Sequence, residues 1–308
     1  MKILLCGNES PLARAVVFRL EQMPFPFIEM SGDELAAMTT QALEALLRDK
    51  HINCLLNVVH LPYSGSAREL ERRYSRLPQN LALAAASTNC FMLQLSDCQV
   101  FSGLQAVAYK ETDEPDTQTP YGAMRWAGER AVIDTCPRHL VLRTGELFSS
   151  LGDNVLTNLV AAWRAGESAP VSVRYQFCPT AVRDVARVIV ALLQQLSCGI
   201  EPWGIYHYCG TDAVSYRDFA RLVKQILESQ PGCNVAMEMR EIAEGLTPLS
   251  WALDCSKIRE TFGIKQHPWR AGLTSAVKRV LVVQDLVARG VPVSPSALLV
   301  DDEYVSND

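Results

Sequence analysis

The chain has 308 residues, of which 48% are hydrophobic, and a formal net charge of −5. That is enough apolar material for one large domain or two unequal ones. Acidic and basic residues are interspersed and no basic block is present, which argues against a nucleic-acid-binding protein.

The cysteines and the apolar runs indicate a reduced, cytoplasmic protein. The ten cysteines are scattered, none forms a C-x-x-C pair, and several lie inside apolar runs, as buried thiols do. We therefore expect no metal site. The chain passes from Met1 and Lys2 straight into a strand pattern, which predicts no signal peptide. No uncharged apolar stretch reaches membrane-spanning length, so no membrane contact is expected.

The N-terminal segment has the pattern of a strand, a tight turn and a helix. Residues 2–6 read as a buried parallel strand, residues 7–13 as the turn and residues 14–22 as the helix. This is the context in which a dinucleotide phosphate binds; the alternative is an ordinary turn without a phosphate. Glu29 ends the second predicted strand where a ribose-binding acid is expected, although a lone acid at a strand end is more often exposed.

Strands and helices alternate through the first half of the chain. A helix is predicted over 32–50, a strand over 52–60, a charged helix with a solvated surface over 68–76, and an Ala-rich helix after Asn80. This alternation predicts right-handed crossovers and a parallel sheet.

The segment 90–129 carries the candidate chemistry. Residues 91–95 are an apolar run typical of a buried strand, and residues 96–103 form a polar cluster at its end. A helix is predicted from Pro120, and in it Tyr121 and Arg125 are spaced i,i+4, so both point from one face. A phenol beside a fixed cation at a strand end is suited to proton transfer.

The last third of the chain alternates less strictly. A helix is predicted after Asp153, and His207 is expected to be a structural hydrogen-bonding histidine. Residues 289–308 are predicted to be an extended tail that packs on the body or on a partner, with disorder as the alternative.

Two motifs carry a resemblance to a known family. Residues 96–103 read Ser-Asp-Cys-Gln-Val-Phe-Ser-Gly, and residues 121–129 read Tyr-Gly-Ala-Met-Arg-Trp-Ala-Gly-Glu. They resemble the Ser-Thr-Asp-Tyr-Val-Phe-x-Gly and Tyr-Gly-x-x-Lys-x-x-Gly-Glu motifs of the extended short-chain dehydrogenase/reductases. The pattern is most similar to dTDP-4-dehydrorhamnose reductase and its non-catalytic relative, the regulatory β subunit of methionine adenosyltransferase.

The resemblance covers nearly the whole chain and implies its architecture. It implies an α/β fold with a Rossmann-like doubly wound parallel sheet and a smaller C-terminal substrate lobe. The dinucleotide-binding domain would span 1–150, with 172–200 returning to it. Residues 151–171 and 201–288 would supply the lobe, and 289–308 the tail.

The same resemblance implies a catalytic site that departs from the family pattern. Tyr121 holds the position of the catalytic tyrosine, Arg125 replaces the family's lysine, and Asp97 replaces its catalytic threonine or serine. Ser96 carries a neighbouring hydroxyl, but on a strand it faces away from position 97.

The implied cofactor is NADP or NAD, and the implied ligand is nucleotide-sugar-like. The family's glycine fingerprint falls on positions 7, 10 and 13, of which this chain keeps only the first, and Asn57 and Val58 match the end of the family's third strand. The residues implied at the cofactor are Gly7, Ser10, Leu12, Ala13, Glu29, Asn57 and Val58.

These departures favour a pseudoenzyme. A carboxylate at position 97 cannot donate a hydrogen bond to a carbonyl, and its charge opposes formation of tyrosinate. The hypothesis is a protein with weak or no reductase activity and a ligand-sensing or regulatory role, acting on a protein partner or as a homodimer. The alternative is an active NAD(P)H-dependent reductase of a 4-keto-6-deoxy nucleotide sugar, with Tyr121 as acid and Arg125 as cation. A structural scaffold that binds no nucleotide is the third hypothesis.

Overall fold

The computed structural model describes residues 1–59, 66–230, 238–242 and 249–289. The strands and helices, in chain order, are β1 (Ile3–Cys6), α1 (Pro11–Leu20), β2 (Phe27–Met30), α2 (Gly32–Ala36), α3 (Thr40–Asp49), β3 (Cys54–Asn57), α4 (Ala67–Glu71), a π-helical segment (Arg72–Arg76), α5 (Leu77–Thr88), β4 (Phe91–Asp97), a 3-10 turn (Cys98–Val100), α6 (Pro120–Thr135), β5 (His139–Thr144), β6 (Leu147–Phe148), α7 (Val155–Arg164), β7 (Ala169–Ser172), β8 (Tyr175–Phe177), β9 (Thr180–Ala181), α8 (Val182–Ser197), β10 (Gly204–Tyr208), β11 (Val214–Ser215), α9 (Tyr216–Glu228), β12 (Met239–Ile242), β13 (Leu249–Ser250), α10 (Ser256–Phe262), a 3-10 turn (Trp269–Gly272) and α11 (Leu273–Ala288).

Six strands form one parallel sheet in the order β2–β1–β3–β4–β5–β10. Side chains alternate across it: Ile3 and Leu5 enter one hydrophobic core, while Leu4 and Cys6 enter the other. Because both faces are covered, the central strands are apolar throughout. This confirms the predicted α/β fold with helices on both sides of a parallel sheet.

The two faces are covered by different helices. Helices α1 and α8 supply Leu12 and Val185 to one core, and α3, α5 and α6 supply Leu43, Leu81 and Val132 to the other. Strand β1 lies between β2 and β3, so the chain winds in opposite directions on its two sides. Such a switch point opens a crevice at the carboxyl ends of the strands, here those of β1 and β3.

A third hydrophobic core lies outside the six-stranded sheet. Phe148, Trp163, Phe177, Phe219 and Trp269 are buried together in it. Three small sheets accompany it, with the strand orders β11–β8–β13, β12–β7 and β6–β9. We refer to this unit as the smaller lobe; it includes β8 and β9, which the sequence boundaries assigned to the dinucleotide-binding domain.

Trp251 joins this lobe to the loop after β4. Its indole Nε1 donates to the Phe101 carbonyl oxygen at 2.9 Å, and its ring packs on Tyr175 at a centroid distance of 4.9 Å. A Cβ added to Gly103 would lie 2.8 Å from the indole ring, and Gly103 has a φ of +79°. A glycine is therefore required there both by conformation and by space.

Two further segments differ from the sequence expectation. Residues 204–208, which the sequence boundaries assign to the lobe, form the outer strand β10 of the main sheet and pair with β5. The family resemblance placed these residues in the lobe, and the buried Tyr206, His207 and Tyr208 lack the aliphatic pattern that would have indicated a parallel strand. The helix predicted over 32–50, for which Asp33 is the cap that the sequence suggests, is two helices, and Ser31 caps the first of them. His60 and residues 290–308 lie outside the described residues.

Nine of the cysteines lie in the described part of the chain, and all nine are free thiols. Eight are buried and Cys198 is exposed; Cys233 lies outside the described residues. Within the same part of the chain, no group of three or more His, Cys, Asp or Glu side chains is arranged to hold a metal ion. None of its helices is both long enough and apolar enough to cross a bilayer.

Candidate active site

Asp97 is the last residue of β4 and lies at the carboxyl edge of the sheet. Its Oδ1 accepts from the Gln99 backbone N–H at 2.9 Å, which fixes the carboxylate at the start of the 3-10 turn. Helix α6 begins nearby, where the Thr119 side chain accepts from the Gly122 N–H at 3.0 Å and Pro120 occupies the first turn. These local caps set the positions of the two facing elements.

The structure brings Asp97, Tyr121 and Arg125 together on one carboxylate oxygen. The Tyr121 hydroxyl donates to Asp97 Oδ2 at 2.5 Å, and Arg125 Nε lies 3.2 Å from the same oxygen. All three residues are buried, with Asp97 6% exposed and Arg125 3% exposed. The predicted common face of Tyr121 and Arg125 is therefore present, and it is turned toward Asp97.

Tyr74, on the π-helical segment, is a site residue that the sequence did not single out. Its ring meets the Tyr121 ring edge-to-face at 5.3 Å, and the Arg125 guanidinium lies over it at 4.6 Å. Burial alone would lower the pKa of Arg125, but Tyr121 and Asp97 beside it raise that pKa above its ordinary value. Arg125 is thus a fixed cation whose charge is directed at Asp97.

Ser96 is buried, and its hydroxyl has no hydrogen-bond partner among the described residues. In the sheet it lies beside Arg143, which makes a buried bidentate pair with Glu129 at 2.6–3.1 Å. His207 pairs with Arg143 from the neighbouring strand β10. Its Nε2 lies 3.5 Å from Arg143 Nη1, and its Nδ1 lies 3.1 Å from the Tyr109 carbonyl oxygen. His207 therefore has the structural role expected of it.

The turn between β1 and α1 is closed by its own side chains. Gly7 has a φ of +95°, and a Cβ there would lie 2.6 Å from Val59 Cγ2, so glycine is required. The Ser10 hydroxyl caps α1 by accepting from the Ala13 N–H at 3.1 Å. A phosphate at this helix N-terminus would compete with Ser10 for that donor.

An ion cluster lies beside this turn, at the end of β2. Glu9 Oε1 accepts from the Gly32 N–H at 2.9 Å and lies 3.6 Å from Arg73 Nη1. Arg73 Nη2 also contacts Asp33 Oδ2 at 2.5 Å, and Arg72 pairs with the same carboxylate. Arg73 is buried, so the charged stretch 68–76 is not merely a solvated face. A pyrophosphate at this turn would therefore share the Ala13 N–H with Ser10 and lie near the Glu9 carboxylate.

Of the other residues implied at the cofactor, Leu12, Asn57 and Val58 are buried and Glu29 is exposed. Leu12 and Val58 are core side chains, so they could offer only backbone atoms to a ligand. Glu29 is exposed on the edge strand β2, and the carboxylate that the structure places at the turn is that of Glu9. Asn57 is buried, and its amide donates to Gln94 Oε1 at 2.8 Å.

Glu146 and Tyr175 form a second polar pair that the sequence reading missed. The Tyr175 hydroxyl donates to Glu146 Oε2, and Tyr216 lines the same cavity. Burial raises the pKa of Glu146, the Tyr175 hydrogen bond partly opposes this, and the charge of Asp97 raises it further. Glu146 lies just after β5, and the carboxyl ends of parallel strands are where sites form, a signal that could have found it.

Curated relatives resemble this chain at modest identity. The dTDP-4-dehydrorhamnose reductase of Aggregatibacter actinomycetemcomitans is 26% identical over 284 residues, which cover 88% of this chain and 97% of that protein. The methionine adenosyltransferase 2 subunit beta of Xenopus tropicalis is 29% identical over 214 residues, covering 66% of this chain and 62% of that protein.

Solved structures share the fold. A dTDP-4-dehydrorhamnose reductase from Clostridium acetobutylicum superposes with a TM-score of 0.77 at 21% identity, covering 92% of this chain and 100% of that one. The Bacillus anthracis dTDP-4-dehydrorhamnose reductase in complex with NADP gives 0.75 at 17% identity, with 92% and 98% covered. A family model described as the RmlD substrate binding domain matches residues 1–282, and the chain belongs to that family, as the motifs indicated.

Proposed function

We propose that this protein keeps the reductase fold of its family but carries out little or no hydride transfer, and that it acts as a ligand-sensing or regulatory protein. One observation carries the proposal: a single oxygen of Asp97 contacts both the Tyr121 hydroxyl, at 2.5 Å, and the Arg125 guanidinium, at 3.2 Å. The two groups that would serve a reductase are held by a carboxylate.

Reduction of a ketone needs a proton donor and a hydrogen bond to the carbonyl oxygen. The Tyr121 proton is directed at Asp97, and an ionised carboxylate at position 97 has no proton to donate. The Arg125 charge is balanced by Asp97, and its planar guanidinium differs in shape from the compact ammonium of a lysine. Because positioned acid–base groups contribute on the order of 10²–10⁴-fold in rate, losing them lowers turnover severely.

The turn after β1 supports the same proposal. Ser10 caps the helix donor and Glu9 adds a carboxylate where a pyrophosphate would have to lie, so weak binding of NADP or NAD is expected. One relative is by name a subunit of methionine adenosyltransferase 2, which favours a protein partner over a stand-alone enzyme. This last argument is an analogy between folds.

An active reductase of a nucleotide sugar is the second candidate. It is favoured by the side-by-side placement of Tyr121 and Arg125 on α6 and by relatives named dTDP-4-dehydrorhamnose reductase. In this case Tyr121 would be the acid and Arg125 the cation, and both would first have to break their contacts with Asp97.

Calorimetry with NADPH and NADH, followed by a turnover assay with dTDP-4-dehydrorhamnose, separates the two candidates. We expect weak or no dinucleotide binding and no NADPH consumption. Micromolar binding together with NADPH consumption would overturn the regulatory role. The variant Asp97→Thr/Arg125→Lys tests whether these groups alone are missing, and adding Tyr121→Phe to it is the matched control that should abolish any turnover gained.

A further inference from the structure

A cavity of about 290 Å³ opens in the smaller lobe, close to the lower end of the sizes typical of small-molecule sites. It lies between the segment after β5, the start of α7 and the strands β7 and β8. The lining residues are Glu146, Leu147, Asp153, Asn154, Val155, Asn158, Pro170, Ser172, Tyr175, Tyr216 and Ile242. Its volume suits a molecule of about monosaccharide size.

The charge of this cavity is negative. Its two charged lining residues, among those the structure describes, are the acids Glu146 and Asp153. Glu146 is partly buried, and the charge of Asp97 acts on it from the end of β4. A phosphate entering here would meet carboxylates with no basic side chain from the described lining to balance it.

Aromatic rings and neutral polar groups complete the wall. Tyr175 and Tyr216 meet edge-to-face with their ring centroids 6.4 Å apart, and Tyr175 donates to Glu146. Ring faces attract organic cations, and a carboxylate among them gives such a cation a counter-ion. Asn154, Asn158 and Ser172 add groups that can bind hydroxyls.

We propose that this cavity binds a small polyhydroxylated ammonium compound of amino-sugar size, with Glu146 as its counter-ion, in place of a phosphate-bearing sugar. The inference deepens the ligand-sensing role proposed above and rests on it. An ammonium beside Glu146 would lower the pKa of its carboxyl group, whereas burial raises that pKa.

Three probes that share one sugar ring and differ in charge test the proposal on the unaltered protein: glucosamine, glucose and glucose 6-phosphate. Binding is measured by calorimetry at low ionic strength and near-neutral pH, low enough to keep the amine of glucosamine protonated. Since a hydrogen bond between two charged groups is stronger than one from a neutral hydroxyl to a carboxylate, we expect glucosamine to bind at least about tenfold more tightly than glucose. Glucose 6-phosphate should bind most weakly. Equal binding of the three probes, or preference for the phosphate, would overturn the proposal.

The variant Glu146→Gln assigns the effect to one side chain. It keeps the shape of the residue and removes its charge, so the preference for glucosamine over glucose should disappear. The matched control is Glu21→Gln, which removes an exposed carboxylate just after α1 and should keep the preference for glucosamine. An unchanged preference in Glu146→Gln would overturn the assignment. NADPH turnover by the same preparation would instead overturn the sensing role, so the two failures are distinguishable.

Discussion

At the level of single residues, the Asp97 carboxylate has a structural as well as a chemical consequence. Arg125 is almost completely buried, and its Nη2 has no hydrogen-bond partner among the described residues. Its charge is compensated by Asp97 and by the faces of Tyr74 and Tyr121. Removing a partner from a buried ion pair is costly because it leaves a charge uncompensated.

Asp97→Ala should therefore lower the free energy of unfolding by about 3–5 kcal/mol. Urea unfolding followed by circular dichroism at neutral pH measures this. The control is Asp49→Ala, an exposed carboxylate that pairs with Lys50 at the end of α3, where a change within about 0.5 kcal/mol is expected. A loss for Asp97→Ala no larger than the control's would show that the pair contributes nothing to stability.

His207 predicts a dependence of stability on pH. Burial and the charge of Arg143 lower the pKa of His207 from 6.5 to about 3. Between these values the unfolded state binds a proton that the folded state does not, so the free energy of unfolding falls as the pH falls. The slope approaches about 1.4 kcal/mol per pH unit below the unfolded-state pKa.

The variant His207→Gln should lose this slope when unfolding is measured between about pH 5 and 6.5, a range above most carboxyl titrations. His51→Asn is the control, because His51 is exposed and its φ of 52° is one that asparagine tolerates. If both variants keep the slope of the unaltered protein, His207 does not titrate as proposed.

The sequence identified part of the candidate site. Tyr121 and Arg125 could be placed on one face because helical spacing is local, and Asp97 because it ends an apolar strand. Glu146 was missed although it follows a strand of the parallel sheet, where site residues are expected. Tyr74 could not be placed, because its position depends on how the π-helical segment packs on α6, and the periodicity of a single segment carries no information about that packing.

At the level of elements, α6 packs unusually closely on the π-helical segment. A Cβ added at Gly128 would lie 2.0 Å from the Tyr74 carbonyl oxygen. This approach brings Tyr74 to Tyr121 and Arg125, so the glycine determines the geometry of the candidate site.

Gly128→Ala should destabilise the protein by about 1–3 kcal/mol through overpacking, although alanine is the better helix former. Ala127→Gly on the exposed side of the same helix is the control and should cost about 1 kcal/mol through helix propensity alone. Thermal unfolding compares the two variants. Stabilisation by Gly128→Ala would mean that the two elements can separate without cost.

Strands whose buried side chains are all aliphatic were predictable from the sequence, and elements with mixed side chains were less so. The strands β1, β3 and β4 are aliphatic and were found near their observed positions. The break between α2 and α3 was missed, because the capping box of Ser31 and Glu34 and the second cap at Thr39 lie inside one continuous helical periodicity. The strand β10 was assigned to the lobe from the family resemblance, and its aromatic and polar buried side chains gave no aliphatic signal against that assignment.

At the scale of the whole molecule, residues 249–254 connect the lobe with the main sheet. The Tyr109 N–H donates to the Ala252 carbonyl oxygen and the Asp254 N–H to that of Tyr109, both at 2.8 Å. Trp251 holds this stretch against Phe101 and Tyr175. Trp251 therefore adds side-chain contacts to both units beside these backbone hydrogen bonds.

In Trp251→Ala, the amides of Tyr109 and Asp254 should exchange hydrogen faster, while those of β1 and β3 remain protected. Mass spectrometry of peptides after exchange measures both groups. Trp203→Ala, which removes a ring packed on Phe91 elsewhere in the molecule, should leave Tyr109 and Asp254 unchanged. Uniformly faster exchange in Trp251→Ala would indicate one cooperative unit without a separable junction.

The distribution of thiols has a practical consequence for all of these measurements. Because eight of the nine described cysteines are buried and Cys198 is exposed, an alkylating reagent should modify the native protein first at Cys198. In a Cys233→Ser background, each additional adduct seen by mass spectrometry would then mark the opening of a core. Cys198 is accordingly the natural attachment point for a fluorophore or a surface tether that leaves the remaining thiols intact.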